Sequence, residues 1–239
     1  MSAPAEPGAS GASGASSVVD TEPVLADYLR ALRDGDRRAA FRVIDGAREA
    51  GLDLGAIYMG VFQPALREIG RLWQENAITV ADEHLATAIT QAAMARLYEQ
   101  VATWDGTARR SLVAACVDTE RHEVGLRMLC DLLECEGWDT TYLGATVPVE
   151  SLLGMVQQRR PDVLALSAAL PPHLPRLRDT IRAVRDALGA AGTTGAPLIV
   201  VGGRPFVEDP SLGARLGADL TAPDAATAVR MLRELVDAA

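Results

Sequence analysis

The 239-residue chain contains no lysine, and all 23 of its basic residues are arginine. That absence removes whole classes of chemistry: there is no Schiff-base amine, no phosphate-binding P-loop lysine, and no lysine to pair with a phospho-acceptor aspartate. Basic residues are also outnumbered, for a formal charge of −9. With no basic stripe to neutralise phosphates, direct nucleic-acid binding is not expected. No run approaches the ~18 to 20 apolar residues of a membrane span, so no membrane association is expected. Cysteine is scarce too. Cys116, Cys130 and Cys135 lack C-x-x-C spacing, which points to reduced thiols in a cytoplasmic protein rather than to a zinc site or disulfide framework. Residues 1–20 are mostly Ala, Ser, Gly and Pro without a basic or apolar segment. They read as a disordered tail, not a signal peptide.

What is present falls into two periods. From Glu22 to Val101 apolar residues recur at helical spacing. Leu25, Leu29 and Leu32 give one helix, and Phe41, Ile44 and Ala47 a second that stops at Gly51. A third runs from Leu54 to Leu72, with Pro64 kinking it or opening its second segment. Thr79-Val80-Ala81-Asp82 reads as a capping box for a fourth helix carrying Leu85, Ile89, Ala92, Ala93 and Leu97. After Asp105-Gly106 the pattern changes to short apolar runs at Leu112–Val117, Trp138–Leu143, Val163–Ser167, Leu198–Val201 and Ala218–Thr221, alternating with helical stretches. The expected architecture is α + α/β: a four-helix bundle cap over 21–103, a linker over 104–109, and a flavodoxin-like (Rossmann-type) five-stranded parallel sheet over 110–239. Strand order 2-1-3-4-5 opens a ligand crevice at the carboxyl ends of the first and third strands.

Three segments converge there. Glu120-Arg121-His122-Glu123-Val124-Gly125 follows the first strand, Ser167 closes the third, and Gly202-Gly203 close the fourth. An imidazole can ligate a transition metal through one ring nitrogen when a carboxylate holds the proton on the other. Glu120 and Asp118 are both near enough in sequence to do so. Gly125 allows a large planar ligand close to the backbone. A Gly-Gly pair is also an ordinary βα turn, and Gly144 in Leu143-Gly144-Ala145 reads as a turn residue.

E-x-H-x-x-G, the strand-three Ser and the Gly-Gly resemble the cobalamin-binding Rossmann-type domains. That resemblance implies His122 as the cobalt ligand, with Glu120 standing where Asp is usual, and a nucleotide tail threaded past Ser167, Gly202 and Gly203. In the cap, Trp73 precedes Glu83-His84 with W-x9-E-H spacing. On residues alone this is equally a core aromatic and an acidic first turn. Following a cobalamin domain, it resembles the adenosylcobalamin-dependent photoreceptors, in which Trp and Glu cover the upper adenosyl group and light alters oligomerisation. Gln74 departs from the light-sensing repressors of that family, which carry a cobalt-binding His there; His84 is the less certain substitute.

A related subgroup, the photocobilins, adds biliverdin as a second chromophore and includes standalone forms. His173, in Leu170-Pro171-Pro172-His173-Leu174-Pro175, is the residue that would face such a tetrapyrrole, with Arg176 and Arg178 available for propionates. The expected function is thus a light-sensing, oligomerising signalling protein acting through a separate protein effector, without turnover of its own. The alternative is a corrinoid shuttle for methyl transfer, which needs its methyl group exposed rather than covered. A mutase subunit and a passive carrier rank below these.

Overall fold

The structure, a computed structural model, describes residues 20–101, 110–190 and 195–237. Apart from Asp20, the tail expected over 1–20 lies outside the described residues, as does the linker expected over 104–109. The first four helical rods are built as their caps dictate. Helix α1 (Glu22–Arg33) starts on a proline in its first turn. Helix α2 (Arg37–Glu49) is capped by Asp36, which accepts from the Ala39 amide at 2.9 Å. Asp53 caps α3 (Leu54–Ile57) in the same way, through the Ala56 amide at 2.7 Å.

The third rod does not break at Pro64. Helix α3 passes through a π-helical turn (Tyr58–Phe62) into α4 (Gln63–Gln74). Proline has no amide to give the carbonyl four residues back. The wider turn answers this: the Gln63 amide bonds to the Tyr58 carbonyl, five residues earlier. The rings of Tyr28, Tyr58 and Phe62 pack beneath it, with centroids 5.1 Å (Tyr28–Phe62) and 5.7 Å (Tyr58–Phe62) apart, all fully buried. Helix α5 (Val80–Val101) opens on the expected capping box, with Asp82 and Thr79 exchanging hydrogen bonds at 2.8 and 3.2 Å. Ile89, Ala93 and Leu97 are buried as expected, but Leu85 is 47% exposed. It stands at the edge of the apolar stripe, beside Gly35 in the α1–α2 turn.

Five parallel strands follow: β1 (Ser111–Val117), β2 (Asp139–Val147), β3 (Val163–Ser167), β4 (Leu198–Gly202) and β5 (Leu220–Ala222), in order β2-β1-β3-β4-β5. The register aligns Cys116 with Ser167 and Ser167 with Gly202. The three strand ends therefore form one row. Strand β2 runs beyond the expected Leu143 because its pairing with β1 slips twice, with Gly144 (φ +76°) and Thr146 (φ +54°) in the left-handed region. Gly144 thus serves a bulge rather than a turn.

Helices α6 (Val124–Cys135) and α11 (Ala225–Asp237) cover one face of the sheet; α7 (Val149–Arg159) and α8 (Leu174–Ala190) cover the other. Short helices α9 (Arg204–Glu208) and α10 (Leu212–Leu216) follow β4. The bundle interior and the α6 face of the sheet form one continuous apolar cluster, from Tyr28 and Phe62 through Leu126 and Leu133 to Leu112 and Ala114. Helix α6 is the shared wall, so movement of the cap has to be accommodated against it.

Candidate cobalamin site

After β1 the chain turns through Thr119, which has φ +72°, a strained value for a β-branched residue. This turn sends Glu120 inward. Its side chain is fully buried, and both carboxylate oxygens are saturated with donors. Oε1 accepts the His122 amide at 2.9 Å and His122 Nδ1–H at 2.6 Å. Oε2 accepts the Ala169 amide at 2.7 Å, the Leu170 amide at 3.3 Å and His173 Nδ1–H at 2.7 Å. One carboxylate thus ties the β1–α6 loop to the β3–α8 loop.

The electrostatics follow from these bonds. Burial alone would raise the Glu120 pKa, but the donors from His122, His173 and Ala169 outweigh it and hold the carboxyl well below its usual range. The His122 pKa is raised, chiefly by its bond to Glu120, against a smaller opposing effect of burial. With Nδ1–H committed to Glu120, Nε2 is the nitrogen left to act as a ligand, and the His122 side chain is 53% exposed. Of the two acids expected to orient His122, Glu120 does so. Asp118 instead faces Arg176 at 3.7 Å.

Beneath the loop, Cys116 donates to the His122 carbonyl at 3.8 Å. Burial pushes the Cys116 thiol up to about 12, so it is no nucleophile. Ser167 is buried at the next strand end, beside Cys116. Gly203 has φ +126°, and a Cβ there would stand 2.2 Å from the Ala168 carbonyl oxygen. Only glycine fits. Gly202 is less constrained, with 3.4 Å to the Ala222 carbonyl, and a Cβ on Gly125 would meet nothing within 4 Å. The space Gly125 leaves is open.

The cap residues divide. Glu83 is near enough for its charge to add to the rise in the His122 pKa. It also accepts from Thr87 at 3.1 Å and contacts His84 Nδ1 at 2.5 Å, while the His84 side chain is 73% exposed. Trp73 is 43% exposed and lines a cavity of about 960 Å³ with Leu29, Arg33, Ile78 and Val80, all residues of the bundle. The structure thus ties Glu83 to its own helix and places Trp73 on the bundle cavity. His173, read from the sequence as facing a second tetrapyrrole, is instead turned inward onto Glu120 and only 17% exposed.

Sequence reasoning missed the polar contacts between cap and sheet. Gln91 of α5 donates to Glu123 Oε1 at 3.1 Å, and Tyr142 of β2 donates to Glu123 Oε2 at 3.0 Å. Tyr58 in the π turn donates to buried Asp131 of α6 at 2.6 Å, and Tyr98 donates to Glu134. The π turn was the missing signal for Tyr58, and nothing in local spacing marks the others.

Do these residues fit a corrinoid? Among the described residues no three His, Cys, Asp or Glu side chains gather as a metal cage. A lone imidazole with an oriented Nε2 suits a metal whose equatorial positions a macrocycle already fills. The open space at Gly125, beside the loop that carries His122, suits a large ligand. The fold and site thus define a corrinoid-binding module. Residues 24–98 and residues 110–232 each match a family model described as a B12 binding domain, and the chain belongs to the B12-binding family.

Its relatives divide by role. Over 159 residues it is 35% identical to the HTH-type transcriptional repressor CarA of Myxococcus xanthus, covering 65% of this chain and 52% of that protein. With CarH, an HTH-type transcriptional repressor of the same organism, it shares 34% over 128 residues, or 54% and 42% of the two chains. The chain thus spans about half the length of these relatives. Trimethylamine corrinoid protein 1 of Methanosarcina acetivorans is 20% identical over 90% of this chain and 98% of its own. The monomethylamine corrinoid protein of Methanosarcina barkeri has the same fold, with a TM-score of 0.76 at 18% identity over 90% and 99% of the chains. No helix among the described residues is long and apolar enough to cross a membrane.

Proposed function

We propose that this protein is an adenosylcobalamin-dependent photoreceptor that changes its bundle packing and oligomeric state in light and signals to a protein partner in the cytoplasm. The observation that carries the reading is the W-x9-E-H spacing of the cap that precedes the His122 domain, supported by the similarity to two transcriptional regulators. Bound here, adenosylcobalamin supplies a cobalt–carbon bond that visible light cleaves. The chain's part is to offer His122 Nε2 from below, with Glu120 fixing the tautomer. Ser167, Gly202 and Gly203, at the row of strand ends, are the residues that would line the tail. In the cap, Glu83 and Trp73 are the residues that would contact the adenosyl group. Only such differential contacts shift an equilibrium between two cap arrangements.

The chain carries no turnover chemistry of its own in this reading, and its output is a change of assembly. Reconstitution in darkness with adenosylcobalamin, followed by absorption spectra and size-exclusion chromatography before and after green light, tests it. An unchanged spectrum and elution volume reject photosensing. A parallel reconstitution with biliverdin tests the second chromophore. The residues assigned to it already have partners: His173 on Glu120, Arg176 on Asp118 and Arg178 on Asp179. The second reading, a corrinoid shuttle, is favoured by the near full-length match to a trimethylamine corrinoid protein. Methyl transfer from a partner methyltransferase, with no response to light, would select it.

A further inference from the structure

Glu123 is the residue at the start of α6, yet its side chain does not cap that helix. Its charge suits the positive end of the helix, but its oxygens are free to reach elsewhere. Here its two oxygens are directed elsewhere, one to Gln91 of the cap helix and one to Tyr142 of β2. The bulge at Gly144 makes room for this: a Cβ there would lie 3.0 Å from Glu123 Oε2. On the cap side, Glu83, Thr87 and Gln91 lie four residues apart along α5 and present one polar stripe toward the sheet. Its last member bonds to the residue next to His122.

We propose that Glu123 is a positioning residue, a strut that ties the His122 loop to α5 so that a change at the cofactor is carried to the cap. The proposal rests on the photoreceptor reading for its light-driven half and on the B12-binding fold for its dark half. A shift of the His122 loop on ligation would move Glu123, its next residue. Because Tyr142 holds the other oxygen to the sheet, the displacement is passed to Gln91 rather than absorbed by rotation of the side chain.

The test is hydrogen–deuterium exchange of α5 in the full chain, with and without adenosylcobalamin, in darkness and after green light. The wild type is expected to gain protection around Gln91 on binding and to lose it in light. Gln91→Leu is expected to bind with an unchanged absorption spectrum while losing the protection change around Gln91. Glu123→Gln is the conservative rescue: with the Gln91 amide turned over, its amide donates to Gln91 and its oxygen accepts from Tyr142, so coupling is retained. A wild-type exchange response in Gln91→Leu and Glu123→Ala overturns the strut, as does a wild type whose α5 ignores dark binding. A dark response that light leaves untouched overturns the photoreceptor reading and leaves the strut standing.

Discussion

Replacing Glu120 with Gln keeps the volume of the side chain and removes only its charge and the equivalence of its two oxygens. The carboxylate accepts five N–H groups, two on Oε1 and three on Oε2. An amide has to choose. If its oxygen faces His122, its NH₂ points at the Ala169 and Leu170 amides and leaves buried donors unpaired, at about 1 to 3 kcal/mol each. If its NH₂ faces His122, the imidazole must accept at Nδ1 and carry its proton on Nε2, the nitrogen needed for cobalt. Either arrangement does harm, one to the β3–α8 loop and the other to ligation.

The expected result is a cobalamin affinity lower by about 10- to 100-fold, the usual effect of removing an orienting carboxylate. At 25 °C that is about 1.4 to 2.7 kcal/mol. Absorption titration reads the affinity and the histidine-bound spectrum, and urea unfolding of the free protein reads the loop. A Gln variant with wild-type affinity, an intact histidine-bound spectrum and wild-type urea stability would show that neither loop depends on the carboxylate, and the account of this site would fail.

The remaining expectations use the same geometry. His122→Ala abolishes the histidine-bound cobalamin spectrum while circular dichroism stays that of the wild type. His173→Ala weakens cobalamin binding by freeing one side of Glu120, whereas Asp118→Ala leaves it unchanged, both read by titration. Gly203→Ala costs about 3 kcal/mol or more in urea unfolding, because it combines positive φ with an overlap on the Ala168 carbonyl. Gly125→Ala changes stability by no more than about 1 kcal/mol but impairs ligand binding. The His122 pKa lies above its ordinary 6.5, so its contribution to the stability of the free protein is complete below pH 6.5 and is lost as pH rises through the folded value. Glu120 lies below its ordinary 4.5 despite burial, so its contribution is complete above pH 4.5 and is lost as pH falls through its folded value. Cobalamin ligation needs neutral His122 and therefore strengthens as free-protein stability declines; parallel trends with pH would contradict the pairing.

The sheet was legible because its buried strands are near-continuous apolar runs, and the row Cys116, Ser167, Gly202 follows once strand order and register are fixed. The bundle was legible from period alone. What escaped depends on single backbone turns that periodicity does not encode. In sequence Asp118 and Glu120 compete equally for His122, and it is the left-handed Thr119 between them that sends one to Arg176 and the other inward. The bond from His173 to Glu120 spans 53 residues, and no local pattern foretells it. Pro64 read as a kink or as the start of a second segment, and it does open α4, but the π turn before it, which absorbs the missing donor and lies where Tyr58 reaches Asp131 on α6, has no sequence signal. The same device thus answers a local defect and supplies a cap-to-sheet contact. Removing the hydroxyl with Tyr58→Phe should cost about 1 to 3 kcal/mol, since buried Asp131 would keep, among the described residues, its bond from Arg127 at 3.3 Å. Burial already raises the Asp131 pKa against the Tyr58 bond that lowers it, so the variant raises it further. An acid raised in the folded state loses stability as pH climbs from its ordinary 3.8 to the folded value, and the Phe variant should lose it over a wider range. Urea midpoints across that range would decide the matter: equal slopes in the two proteins would mean that the π turn serves Pro64 alone.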